Sequence, residues 1–125
     1  MNAGILLAVA VAAGGGVGAA GRFLLDGLIN TGREFRLPVG TLTINITGSL
    51  LLGLIVGAAS HLGAAPVAVL GTGVMGGYTT FSTANFETVR LARSGRITAA
   101  AVNGLGMLVL SVAAAIAGIL LGGLL

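Results

Sequence analysis

Residues 73–87 read GVMGGYTTFSTANFE and lie inside an apolar stretch that is long enough to cross a membrane. This part of the stretch is poorly suited to a continuous helix, because Gly76 and Gly77 are weak helix formers and the threonines compete for backbone hydrogen bonds. Hydrocarbon has no water to bond a broken backbone, so such a break must be buried in protein or line a wet cavity. The stretch therefore predicts a third helix broken mid-membrane, whose freed carbonyls and hydroxyls serve an ion.

The composition is that of a membrane protein. The chain has 125 residues, of which 56% are hydrophobic and 7% are charged, whereas a soluble domain has roughly 25% charged residues. With about 20 residues per crossing, the length predicts an all-α membrane protein. Its single domain, 1–125, would contain four transmembrane helices at about 3–25, 38–60, 66–90 and 97–125. That leaves no room for a nucleotide site, and the absence of cysteine excludes thiol chemistry, so we do not expect an enzyme.

Glycines in the first segment have two interpretations. Residues 16–21, GVGAAG, match the dinucleotide fingerprint GxGxxG, but that motif needs a surrounding βαβ unit, and the apolar spans that follow leave none. Pairs spaced by four residues instead predict small faces for close helix packing. These pairs are Gly14 with Gly18, Gly53 with Gly57, and Gly118 with Gly122.

Polar residues form two stripes on otherwise apolar helices. Thr41, Asn45 and Ser49 recur at four-residue spacing, and Asn103 and Ser111 lie on one face of the last segment. A threonine or serine can bond its own helix, whereas the amide of Asn45 needs another partner. Asn45 therefore either joins two helices or lines a pore.

The charged residues near the end of the first segment also allow two interpretations. Arg22 and Asp26 stand one turn apart and can pair on one helix face. Arg22 is either an interfacial arginine or a cation at a pore mouth that raises the local anion concentration.

The six basic residues are all arginines, and their distribution is one-sided. With four crossings, the loops between segments one and two and between segments three and four share a side. Because positive loops face the cytoplasm, we expect these two loops inside and both termini outside. The few arginines lie beside apolar spans and indicate topology and lipid contact, not nucleic-acid binding. The loop arginines are Arg33, Arg36, Arg90, Arg93 and Arg96.

Three motifs together resemble a known family. Residues 18–23 (GAAGRF), 40–49 (GTLTINITGS) and 76–83 (GGYTTFST) are similar in order and spacing to those of the Fluc (CrcB-like) fluoride channels. The resemblance implies a subunit of a fluoride-specific channel in the bacterial cytoplasmic membrane, which lets fluoride leave the cell passively. It also implies an antiparallel, dual-topology dimer with a structural Na⁺ ion at its centre and two fluoride pores.

The resemblance also implies which residues serve the ions. The backbone carbonyls of Gly76 and Thr79 would hold the sodium, since hard cations prefer oxygen ligands. The fluoride pore would use the ring edge of Phe81 and polar donors, and its entrance would be marked by Arg22 and Glu87. Without the motif, ordinary packing would explain Phe81. The pore donors implied are Asn45, Ser111, Thr80, Ser82 and Thr83.

The chain departs from the family pattern in its pore. Family members usually carry a second phenylalanine where this chain has Ala84, and Phe86 lies about 140° around the helix from Phe81. Asn103 stands where the family often has tyrosine, and Ala115 where a second hydroxyl can occur. Together with the one-sided arginines, this predicts a heterodimer with an oppositely oriented, related subunit.

Two other functions remain open from the residues. A small four-helix multidrug or guanidinium exporter also pairs antiparallel, but it needs an acidic residue within its first helix. The acids of this chain, Asp26, Glu34 and Glu87, stand near the predicted helix ends. A non-conducting partner subunit of a heterodimeric channel is the other alternative.

Overall fold

The computed structural model describes residues 2–32 and 37–125, and this part of the chain is helical without any strand. The predicted all-α class is therefore confirmed. The predicted loop residues Arg33, Glu34 and Arg36 lie outside the described residues. In order, the elements are α1 (Ala3–Asn30), α2 (Val39–Gly57), α3 (Ala59–Leu62), α4 (Ala64–Val67), a π-helix π1 (Ala68–Met75), α5 (Gly76–Tyr78), α6 (Phe81–Arg93) and α7 (Ile97–Gly122).

Three of these helices, α1, α2 and α7, are long and apolar enough to cross a membrane. The chain is an integral membrane protein, as its composition predicts. Helix α1 continues to Asn30, well past the predicted end at residue 25, so Arg22 and Asp26 lie within the helix. Its length of about 42 Å exceeds a hydrocarbon core of about 30 Å, so its polar end extends beyond the core.

The chain between α3 and α7 is interrupted. Elements α4, π1 and α5 follow one another without a gap, and we call them together the 64–78 segment. The helix then ends, since Thr79 (φ −81°, ψ 159°) and Thr80 (φ −144°, ψ 122°) are extended. Helix α6 begins at Phe81. The interruption falls within the glycine- and threonine-rich run from which the sequence predicts a loss of regular helix.

Helix α1 packs closely against the 64–78 segment through glycines. A methyl group on Gly18 would overlap the carbonyl oxygen of Val74, and one on Gly14 would press against that of Val69. On the facing segment, a methyl on Gly77 would overlap the carbonyl oxygen of Gly15. The close-packing face predicted at Gly14 and Gly18 is thus confirmed.

A second glycine face joins α2 to α7, which run parallel. A methyl on Gly53 would overlap the carbonyl oxygen of Ala115, and one on Gly118 would overlap that of Leu50. The same relationship holds one turn further on, for Gly57 against Ile119 and for Gly122 against Leu54. Both predicted glycine pairs are therefore confirmed, and they fix the register in which the polar stripes of α2 and α7 face each other.

Large apolar side chains cover much of the outer surface. Phe81 is 84% exposed and Phe23 is 78% exposed in the single subunit. In a membrane protein such residues face lipid or another subunit, because neither environment penalises apolar surface. The described core combines apolar residues, among them Ile44 and Met107, with the buried polar side chains of Thr41, Asn45 and Asn103.

Candidate functional site

The site is built around the two extended residues at the interruption. The Asn45 side chain on α2 accepts a hydrogen bond from the Thr80 backbone N–H and donates one to the Thr80 carbonyl, both at 2.8 Å. A helix would satisfy these two backbone groups internally, and at the interruption a single amide satisfies both. Asn45 therefore contacts the chain where regular helical hydrogen bonding stops. The contact joins α2 to the N-terminal cap of α6, and joining two helices is one of the two roles expected for Asn45.

The Asn45 amide also changes which carbonyls have donors. In a continuous α-helix the N–H of Thr80 would bond the carbonyl of Gly76, and the N–H of Thr83 would bond that of Thr79. Here Thr80 N–H donates to Asn45, and Thr83 N–H donates to the Thr80 hydroxyl at 3.1 Å as a helix cap. The two carbonyls that the family resemblance assigns to sodium are thus the two whose α-helical donors are diverted to side chains.

Tyr78 and its surroundings hold the end of the 64–78 segment in place. The Tyr78 hydroxyl is 2.9 Å from the Thr47 hydroxyl on α2. A methyl group on Gly48 would come within 3.0 Å of the Tyr78 ring. Both Thr79 N–H and the Thr79 hydroxyl donate to the Met75 carbonyl, at 3.0 and 2.9 Å. These contacts orient the last turn before the chain becomes extended.

An open groove of about 310 Å³ lies beside the interruption. It collects polar groups from three helices against an apolar wall. Four predicted pore residues contribute to it, Asn45, Thr80, Phe81 and Ser111, and so does Thr79. The remaining lining residues are Ser49, Leu52, Ala84, Asn85, Thr88, Gly104, Met107 and Leu108.

Two predicted pore residues do not line this groove. Ser82 and Thr83 lie in the first turn of α6 and are exposed in the single subunit. The backbone N–H of Thr83 bonds Thr80, while its side chain faces outward from the described helices. Their predicted role would require a surface that a second subunit or lipid covers.

Buried polar atoms extend along α7 on the face that meets α2 and α6. Asn103 is fully buried and donates to the Thr88 hydroxyl at 2.8 Å. Its side-chain oxygen is buried and finds no hydrogen-bond partner among the described residues. Two turns further along, the Ser111 hydroxyl is likewise buried and unpaired within that part of the chain.

The residues predicted at the pore entrance lie on different helices. Glu87 is partly buried on α6 and accepts a hydrogen bond from Thr41 at 2.8 Å. Arg22 is half-buried on α1. The pairing expected between Arg22 and Asp26 is not formed among the described residues. Asp26 instead accepts a hydrogen bond at 3.0 Å from Asn30, which stands one turn further along the same helix.

Sequence reasoning did not assign a role to several residues of the groove, among them Asn85, Thr88 and Met107. Met107 is 7% exposed, and its sulfur accepts a hydrogen bond of 3.1 Å from Asn45. Its position midway between Asn103 and Ser111 is visible in the sequence, yet a methionine in an apolar helix gives no polar signal. Thr88 and Asn85 lie on α6, where the amphipathic pattern is dominated by the arginines.

Comparison with known proteins identifies the family. The model of the family described as CrcB-like protein, Camphor Resistance (CrcB), matches residues 9–119. The chain belongs to the CrcB-like family. This match spans the interruption, the groove and the glycine faces except for Gly122, and it confirms the family resemblance that the three sequence motifs carry.

Several curated relatives of this CrcB-like chain are named as channels. Fluoride-specific ion channel FluC 1 of Leifsonia xyli subsp. xyli is 48% identical over 121 residues, which cover 95% of this chain and 88% of the relative. FluC 2 of Cutibacterium acnes is 50% identical over 111 residues, which cover 86% of this chain and 90% of the relative. FluC 2 of Mycobacterium tuberculosis is 43% identical over 122 residues, which cover 94% of this chain and 95% of the relative. The family is one of ion channels and not of enzymes.

Proposed function

We propose that this chain is a subunit of a fluoride-specific channel in the bacterial cytoplasmic membrane. Through it, fluoride that has entered as the neutral acid and dissociated inside leaves the cell passively, which gives fluoride resistance. The observation that carries this proposal is the groove, because it brings Asn45, Thr80, Phe81 and Ser111 together beside the interrupted helix. The names of the relatives agree with it.

The groove offers the chemistry that a small anion needs. Amide and hydroxyl groups donate hydrogen bonds, and the edge of an aromatic ring carries the positive lobe of its quadrupole. The Ser111 hydroxyl has no partner among the described residues, so it is free to donate to a passing ion. Arg22 on α1, and Arg90 and Arg93 in the last turn of α6, would raise the local anion concentration at the ends of the path.

The proposed channel has four transmembrane segments per subunit. Helices α1, α2 and α7 are the first, second and fourth segments. The third segment consists of the 64–78 segment, the extended pair Thr79 and Thr80, and α6. Because the extended pair has its backbone bonded by Asn45, it satisfies the requirement that irregular backbone in a membrane be buried against protein. The loops with arginines would face the cytoplasm and the termini would face outward.

A structural Na⁺ ion at the centre of an antiparallel dimer is part of the same proposal. The carbonyls of Gly76 and Thr79 fit this ion, because their α-helical donors are diverted to Asn45 and to the Thr80 hydroxyl. Gly76 is exposed in the single subunit, where a second subunit could bring matching oxygens. Sodium bound there would hold the two subunits together and would not be transported.

We propose further that the second subunit is a related chain of opposite orientation. The arginines are one-sided, and Ala84 lines the groove at the position where the family usually has a second ring. The partner subunit would either supply the aromatic ring that this chain lacks at Ala84 or carry the pore that conducts more fluoride. In the limiting case, this chain would be the non-conducting partner, and only its counterpart would carry complete pores.

Growth of fluoride-sensitive bacteria at low external pH tests the function. We expect resistance when this chain is expressed with the related subunit of its own genome, and weak or no resistance when either is expressed alone. Full resistance from this chain alone would reject the heterodimer but keep the channel. No resistance from any combination, with both chains present in the membrane, would contradict the proposed function.

A further inference from the structure

The side-chain amide of Asn45 has all of its hydrogen-bonding groups engaged. An asparagine amide has two N–H groups and one carbonyl oxygen. The oxygen accepts from Thr80 N–H, and Nδ2 donates to both the Thr80 carbonyl and the Met107 sulfur. Within the described part of the chain, Asn45 therefore has no spare donor for an anion, although it lines the groove.

The three hydrogen bonds of Asn45 are unequal. The two with Thr80 are 2.8 Å long and satisfy backbone groups that have no helical partner, so an ion that took either one would leave a buried backbone group unpaired. The bond to Met107 is 3.1 Å long, and a thioether sulfur is only a weak acceptor. The N–H directed at Met107 is the one that an anion can take at the least cost.

Met107 stands where its movement would open a complete anion subsite. It is one helical turn before Ser111 on α7, and both residues line the groove beside Asn45. The Ser111 hydroxyl is buried and has no partner among the described residues. Methionine is unbranched and has three rotatable side-chain bonds, so the thioether can turn into the groove of about 310 Å³ while α7 stays in place.

We propose that Met107 controls access to the Asn45 donor and is a specificity-determining residue of the pore. Its sulfur holds the second Asn45 N–H until a small, strong acceptor displaces it, and that ion then bonds Asn45 and Ser111 together. Fluoride is such an acceptor, whereas chloride is larger and accepts hydrogen bonds less strongly. The inference rests on the proposed function, because it takes fluoride to be the ion that enters the groove.

Nuclear magnetic resonance of the purified, full-length protein in micelles tests the exchange. The chain has five asparagines, so ¹⁵N-asparagine labelling gives few side-chain signals, and Asn45→Asp identifies the relevant one by its loss. We expect the Asn45 NH₂ signal to shift with sodium fluoride and to stay fixed with sodium chloride at the same ionic strength.

Substitutions at Met107 separate its sulfur from its bulk. In Met107→Leu the acceptor is gone, so the fluoride concentration at half-shift should fall about two- to twelvefold, the range that corresponds to the ordinary net strength of one hydrogen bond. In Met107→Gln the side-chain carbonyl is a stronger acceptor of the Asn45 N–H, and the fluoride concentration at half-shift should therefore rise. Met75→Leu makes the same chemical change at a methionine that does not line the groove. This control should leave the fluoride concentration at half-shift unchanged.

The outcomes distinguish this inference from the proposed function. Equal half-shift concentrations in wild type, Met107→Leu and Met107→Gln would overturn the inference, and if one variant fails to fold, the other decides. A fixed Asn45 signal, in a protein that does pass fluoride when reconstituted with or without its related subunit, would overturn the inference alone. A fixed signal together with no fluoride passage in either reconstitution would contradict both.

Discussion

Asn45 and Thr80 exchange two hydrogen bonds of 2.8 Å, although they are 35 positions apart in the chain. Asn45 lies on α2, and Thr80 lies at the interruption before α6. Through this one pair, α2 determines the backbone of the interruption between the 64–78 segment and α6. The same pair diverts the Thr80 N–H from the Gly76 carbonyl. The backbone at the interruption, the proposed cation site and the wall of the groove therefore depend on one amide.

Removing that amide should destabilise the subunit. In Asn45→Ala the N–H and C=O of Thr80 lose their partners in a part-buried place, which costs about 2–6 kcal/mol when each of the two unsatisfied groups costs about 1–3 kcal/mol. Thermal unfolding in detergent measures the loss. Asn85→Ala is the control, because Asn85 is exposed and makes no hydrogen bond among the described residues. Equal unfolding temperatures for the two variants would contradict the role given to Asn45.

Adding a methyl group between α1 and the 64–78 segment should be severely disruptive. In Gly18→Ala the new methyl would overlap the carbonyl oxygen of Val74 and approach Tyr78 N–H, so the two helices must separate. Gly16→Ala on the same helix meets open space in the subunit and gains up to about 1 kcal/mol of helix propensity. We expect Gly18→Ala to unfold at a clearly lower temperature than Gly16→Ala. The reverse order would show that this glycine face is not the contact between the helices.

Sodium should stabilise the assembled channel more than other cations do. A ligand at about 100 times its Kd stabilises the state that binds it by about 2.7 kcal/mol. The assembly should therefore unfold at a higher temperature in sodium chloride than in potassium chloride or N-methylglucamine chloride of equal ionic strength. Identical unfolding in all three salts would remove the support for a sodium ion on the carbonyls of Gly76 and Thr79.

Restoring a ring at position 84 should increase conduction by this chain alone. Ala84 is half-buried in the wall of the groove, and Ala84→Phe would place an aromatic edge one turn from Phe81. Ala84→Leu adds comparable bulk without the positive ring edge and should not increase the flux. Fluoride release from vesicles that contain only this chain measures the difference. Equal flux from both variants would mean that the missing ring does not limit conduction.

The sequence predicted the features that follow from local composition and spacing. The four-residue glycine pairs indicated which faces pack closely. The glycine- and threonine-rich run contains the interruption, but Gly76 and Gly77 themselves are helical in α5, and the extended residues are Thr79 and Thr80. The spacing of Thr41, Asn45 and Ser49 indicated one polar face on α2, of which Asn45 and Ser49 line the groove. Each of these depends on residues that are neighbours on a single helix.

Other features depend on contacts between helices and could not be predicted this way. The partner of Asn45 is a backbone group, so no side chain in the sequence marks it, and the acceptor role of Met107 depends on the register that the α2–α7 glycines fix. The π-helix Ala68–Met75 packs against α1 at the close distance that glycines allow, and nothing in its own sequence indicated a π-helix. Asp26 accepts a hydrogen bond from Asn30, which lies one turn further along because α1 continues past its predicted end.

Fluoride efflux from liposomes that contain the assembled channel tests the central claim most directly. A fluoride electrode would compare wild type with Phe81→Ile and with Phe86→Ile, two equal changes on α6 of which only the first alters a groove residue. The account predicts fluoride release by wild type and by Phe86→Ile, a strong loss with Phe81→Ile, and little chloride release by any of them. Undiminished efflux with Phe81→Ile, or no efflux from the wild-type assembly, would contradict it.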